Sequence, residues 1–155
     1  LAAYGCIASQ GGCGANLLNL PATGTYSIVL QPTTGATGRF TATLSSEWIG
    51  SLAVGGPAVV VSLDRPGRNA RLTFAGSAGQ TLRLSPSDVA ITGALGNAIV
   101  SVITPGGSTM GAMLIANGTA FTYDIPALPT TGNYALFVDP AAGATLNATL
   151  RIVAR

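Results

Sequence analysis

The side chains able to do chemistry are few and scattered. Five carboxylates, Glu47, Asp64, Asp88, Asp124 and Asp139, stand singly along a chain of 155 residues. No Asp-x-Asp-x-Asp run is present to wrap a calcium ion, which takes roughly six to eight oxygens. The seven basic residues are all arginine, and there is neither lysine nor histidine. A serine or cysteine nucleophile would therefore have no imidazole or amine base, and no Gly-x-Ser-x-Gly elbow occurs. Loss of histidine also removes the commonest metal ligand and proton shuttle. The Gly11-Gly12 and Gly106-Gly107 pairs precede strand-like segments, so they lack the helix N-terminus that a phosphate cradle uses. No catalytic, cofactor-binding or metal-binding residue is assigned, and an enzyme is not expected.

Charge narrows the partners in the same way. The formal net charge is +2, and the arginines are spread from Arg39 to Arg155, so no clustered phosphate track exists for a nucleic acid. Arg65, Arg68, Arg71 and Arg83 could form one stripe, which reads as a solvated face paired with Asp64 and Asp88. Asp64 and Asp139 sit beside turns, where a carboxylate accepts backbone N–H groups.

Cys6 and Cys13 are the two cysteines, in a glycine-rich stretch. A structural zinc site needs four ligands, and no others are available. A Cys6–Cys13 disulfide is expected, with two buried free thiols as the other reading. Such a bridge would stabilise by roughly 2–3 kcal/mol in the chain-entropy model and would imply an oxidising compartment. Trp48, the single tryptophan, follows Ser45-Ser46-Glu47. It is read as an inter-module packing contact or, in a second reading, as a platform for a sugar ring, although aromatic residues make up only 6% of the chain.

The elements that must hold these side chains are strands. The chain is 48% hydrophobic with 21 Gly and 9 Pro, and no apolar run approaches the roughly 20 residues of a spanning helix. The expected strands are short and alternate apolar with polar: 57–63, 70–74, 80–84, 88–92, 98–103, 112–116 and 120–125. Turns fall at Asp64–Arg68, Gly76–Gly79, Gly96-Asn97, Pro105–Gly107 and Asn117-Gly118, the last an Asn-Gly of the kind that closes hairpins. No segment carries helical spacing with caps. The fold class is all-β, an antiparallel, jelly-roll-like β-sandwich.

The chain also repeats itself. Residues 20–30, Leu-Pro-Ala-Thr-Gly-Thr-Tyr-Ser-Ile-Val-Leu, recur 108 positions later as Leu-Pro-Thr-Thr-Gly-Asn-Tyr-Ala-Leu-Phe-Val, and the ungapped match reaches ten identities over residues 20–45. Proline fixes φ and glycine turns the chain, so a strand should begin at Thr25 and at Asn133, with Tyr26 and Tyr134 holding a corner. Arg39–Leu44 and Leu146–Val153 should return as strands. The expected organisation is residues 1–47 as the C-terminal half of a β-sandwich repeat and residues 48–155 as a complete one. A half sandwich leaves strand edges and an apolar face open, so something must complete it.

Three stretches point to a family: Pro66–Gln80, Ile103–Ser108, and the closing Leu-Pro-x-Thr-Gly-x-Tyr with Asp139-Pro140. Together they resemble a tandem β-sandwich module of large secreted and surface bacterial proteins. It is found in YD-repeat (Rhs-like) proteins and is similar to the pre-peptidase C-terminal-like sandwich class. The resemblance implies a non-catalytic, repeated extracellular module, without cofactor, serving as spacer, stalk or adhesive element. Its partners would be neighbouring repeat modules or copies of itself, joined head-to-tail by strand complementation into a filament. A carbohydrate-binding module with a polysaccharide partner is the alternative.

Overall fold

In the computed structural model the described residues are 13–17, 20–93, 95–118, 120, 122–141 and 143–155. Nine strands pack as two sheets: β1 (Trp48–Ser51), β2 (Val59–Leu63), β3 (Ala70–Gly76), β4 (Leu82–Thr92), β5 (Asn97–Ile103), β6 (Thr109–Ala116), β7 (Tyr123–Ile125), β8 (Gly132–Pro140) and β9 (Thr145–Ala154). The first sheet runs β1-β3-β8-β5-β6 and the second β2-β9-β4-β7. Strands β2 to β9 alone form two four-stranded sheets in jelly-roll order, so the all-β sandwich read from the sequence is the fold. Every pairing is antiparallel except β1 with β3, which is parallel.

Alternation decides which side chains enter the core. Along β9, Leu146, Ala148, Leu150 and Ile152 are buried while Asn147 and Arg151 face solvent. Along β8, Tyr134, Leu136 and Val138 do the same. Leu72 and Phe74 of β3 and Leu82 and Leu84 of β4 meet them to make one apolar interior. Such burial is the main favourable contribution to folding, at about 25 cal/mol for each Å² removed from water.

The structure corrects three expectations. The segments 80–84 and 88–92 are one strand, β4, interrupted by a bulge between Ser87 and Ala90, where Asp88 takes a positive φ of 52°. A bulge bends a strand without ending the ladder, and alternation alone cannot reveal it. Trp48 lies in a strand, β1, whose four residues are too few for a periodic signal. Residues 25–31 and 39–44 are not strands: none of the described residues before Trp48 joins a sheet. Extended chain becomes strand only when a neighbour accepts and donates its backbone hydrogen bonds, and among the described residues no strand lies alongside.

Candidate interaction surface

Two tyrosines make the same local bond in opposite surroundings. Tyr134 Oη donates to the Thr130 carbonyl at 2.6 Å and accepts from the Thr130 amide at 3.2 Å. Tyr26 Oη donates to the Ala22 carbonyl at 2.5 Å and accepts from the Ala22 amide at 3.2 Å. Each therefore closes a tyrosine corner over the turn of its own Leu-Pro-x-Thr-Gly-x-Tyr. The Tyr134 ring then stacks on Phe74, with centroids 5.5 Å apart, and is 1% exposed, whereas Tyr26 is 49% exposed.

The difference extends along the segment. Under the same offset Leu20, Ile28 and Leu30 fall on Leu128, Leu136 and Val138; the first three are exposed and the last three buried. After the turn the same offset places Phe40, Ala42 and Leu44 on Ala148, Leu150 and Ile152, which are all buried. Phe40 and Leu44 are also exposed. Residues 20–44 thus carry the apolar alternation of β8 and β9, which lie in different sheets, with those side chains exposed. Exposed apolar surface concentrated in this way marks an interaction site.

Both flanks of that segment are tied to one end of the sandwich. Asn69 Nδ2 donates to Asn16 Oδ1 at 2.6 Å, and Asn16 Nδ2 donates to Asp139 Oδ2 at 2.9 Å. Asn69 and Asp139 adjoin the Ala70–Val138 pair of β3 and β8. On the other flank Ser45 Oγ donates to the Pro66 carbonyl at 2.9 Å in the β2–β3 turn. Glu47 continues the attachment, gripping Arg71 at 3.0 and 3.1 Å, while the Arg71 guanidinium lies over Phe137, 5.0 Å from the ring centroid.

The other residues singled out from sequence disperse. Arg71 and Arg83 belong to different sheets, so no arginine stripe forms. Arg68 pairs with Asp64, whereas Arg83 and Arg155 share Asp124 at 2.7 and 3.1 Å. Arg83 hydrogen-bonded to the Asp124 carboxylate holds it below the usual carboxylate range, and Arg68 does so for Asp64. Asp88 accepts from Ser87 Oγ, not from an arginine. Asp139 accepts the Asn16 amide in place of a backbone N–H. Among the described residues no cluster of metal-binding side chains occurs. Cys13 is not a free thiol, and Cys6 lies outside the described residues. Trp48 is half-buried and packs on the core, its ring so close over Gly50 that a Cβ there would stand 2.5 Å from the indole Cζ3. The Asn117 amide, of the Asn117-Gly118 turn, is committed to Ile91: Oδ1 accepts the Ile91 N–H and Nδ2 donates to its carbonyl at 2.8 Å. What sequence reading missed was the pair of tethers at Asn16 and Ser45, small polar residues whose types carry no signal without their distant partners.

No protein-family model matches the chain, and no curated protein matches it significantly in sequence. Solved structures do. The pre-peptidase C-terminal domain of a Bacillus anthracis collagenase superposes with a TM-score of 0.51 at 15% identity, covering 71% of this chain and 99% of that one. The likeness is one of fold. PliG of Aeromonas hydrophila, a periplasmic inhibitor of g-type lysozyme, covers 71% of this chain and 100% of its own at 18% identity and a TM-score of 0.45. PliG of Salmonella Typhimurium covers 66% and 96% at 18% identity and a TM-score of 0.39. No helix among the described residues is long and apolar enough to cross a membrane.

Proposed function

We propose that this chain is a non-catalytic structural or adhesive β-sandwich repeat of a secreted or surface bacterial protein. Residues 48–155 are one complete module, and residues 1–47 are the C-terminal half of a second. Successive modules join head-to-tail when that half completes the two sheets of the strands ahead of it. The observation that carries this reading is the repeated tyrosine corner, bonded alike at Tyr26 and Tyr134 but buried only at Tyr134. A Cys6–Cys13 disulfide would brace the segment leading into residues 20–44 and suits an oxidising compartment.

The test supplies the missing strands. A second copy of residues 48–127, inserted between residues 19 and 20 of the full chain, should protect amides 25–30 from hydrogen exchange as strongly as amides 133–138. Amides 25–30 that remain open with those strands ahead of them overturn the reading.

Carbohydrate binding is the second reading, and Trp48 is its residue. Trp48 is half-buried, with its ring against Gly50 and the core, so the structural reading stands first.

A further inference from the structure

We infer that Asp124, Val153 and Arg155 form the surface that receives a following β-sandwich unit, and that this unit carries an acid in the place of Arg71 and a hydrogen-bond donor in the place of Asp139. The inference rests on the repeat reading above and adds which surface meets the next unit and what chemistry it selects.

The surface is found by carrying the known tethers forward along the repeat. Asn16 on one flank, and Ser45 and Glu47 on the other, hold the preceding segment to the sandwich. An offset of 108 residues places Asn16 on Asp124, Ser45 on Val153 and Glu47 on Arg155. These three later residues meet in space. Asp124 of β7 lies opposite Arg83 of β4, and Arg83 lies opposite Val153 of β9, so they make one row across the second sheet. The Arg155 guanidinium joins the row, 3.1 Å from the Asp124 carboxylate, and both side chains are open to solvent at 56% and 39%.

At each of the three positions the chemistry has changed. Glu47 grips Arg71 through two charge-assisted bonds, whereas Arg155 would meet an arginine in that place as a like charge. Asn16 accepts from Asn69 and donates to Asp139. A carboxylate at Asp124 can accept the amide of an asparagine such as Asn69, but it has no proton to give and opposes a second carboxylate. Ser45 donates to the Pro66 carbonyl; Val153 has no donor. Like charges brought together reject a wrong partner, and opposite charges select the right one. Residues 48–155 are therefore mismatched to this end. A unit with an acid facing Arg155 and a donor facing Asp124 restores both contacts.

Tandem proteins test this. A copy of residues 48–155 joined directly after Arg155 keeps the spacing of the Glu47-Trp48 boundary. With that copy unmodified, the two sandwiches should tumble independently in nuclear relaxation measurements. With Arg71→Glu and Asp139→Asn in the appended copy, they should tumble as one body. The converse pair, Asp124→Asn and Arg155→Glu in the first sandwich ahead of an unmodified copy, should also give one body, and it leaves the test standing if Arg71→Glu unfolds the appended copy. Charge-matched tandems that tumble independently overturn the inference, as does an unmodified tandem that tumbles as one body. Amides 25–30 that stay open in the protein with inserted strands overturn the repeat reading instead.

Discussion

Tyr26 and Tyr134 stand 108 residues apart and hold their turns with the same pair of backbone bonds, yet one is half exposed and the other is sealed under Phe74. The pairing separates what a motif does locally from what the surrounding sheets add. The corner forms at both copies of Leu-Pro-x-Thr-Gly-x-Tyr, because bonds between residues four apart need no distant partner. Stacking and burial need the second sheet.

This contrast sets the first expectation. Tyr134→Phe removes a buried hydroxyl and leaves the Thr130 backbone short of its partner, at a cost of about 1–3 kcal/mol. Tyr26→Phe should leave the unfolding midpoint of the sandwich unchanged, since that hydroxyl can be replaced by water. Thermal or urea unfolding of both variants checks the pair.

The fit of Trp48 over Gly50 gives the second. Gly50→Ala places a methyl group where the indole now lies, and a ring pushed from a packed position costs typically about 1–3 kcal/mol. Tryptophan fluorescence should shift to the red along with the fall in stability. Trp48→Ala should lower stability too, without changing retention on polysaccharide resins; loss of retention would favour the carbohydrate reading.

The pH profile follows from the absence of histidine. No side chain of the sequence has an ordinary titration between pH 5 and 8, so stability should be flat across that range. Asp124 and Asp64 are held below the usual carboxylate range by Arg83 and Arg68. A depressed carboxylate stabilises above its unfolded value and loses that contribution as pH falls through the lowered one. The decline should therefore begin only below about pH 4. It should be small, because both pairs face solvent and are screened. Midpoints measured from pH 3 to pH 8 check this.

Reduction supplies the last expectation. A bridge between Cys6 and Cys13 constrains only the loop it closes, which lies ahead of the first strand of the sandwich. Treatment with a reductant should add two hydrogens to the intact mass and leave the unfolding midpoint of residues 48–155 unchanged. A lowered midpoint would mean that the bridged segment supports the sheets directly.

Much of the architecture was legible from the residues. The alternation of Leu82 with Arg83 and Leu84, or of Leu146 with Asn147 and Ala148, states the strand and its buried face together, because the period of two is a local property. Glycine and proline mark where the chain must turn. The repeat of residues 20–30 at 128–138 is likewise visible before any fold is known. The sequence alone therefore determined the all-β class, most of the turns and the two tyrosine corners.

Only the tertiary structure decided which of two nearly equal segments becomes a strand. Residues 133–138 and 25–30 share their pattern, but β3 and β5 flank the first and no strand among the described residues flanks the second, and sheet hydrogen bonds require a neighbour that no single segment encodes. The same dependence on distant partners placed Arg71 with Glu47, joined Asn16 to Asn69 and Asp139, folded Trp48 onto Gly50, and ran β4 through its bulge. Local pattern gives each stretch its preference; contact across the sheets determines which preference is realised.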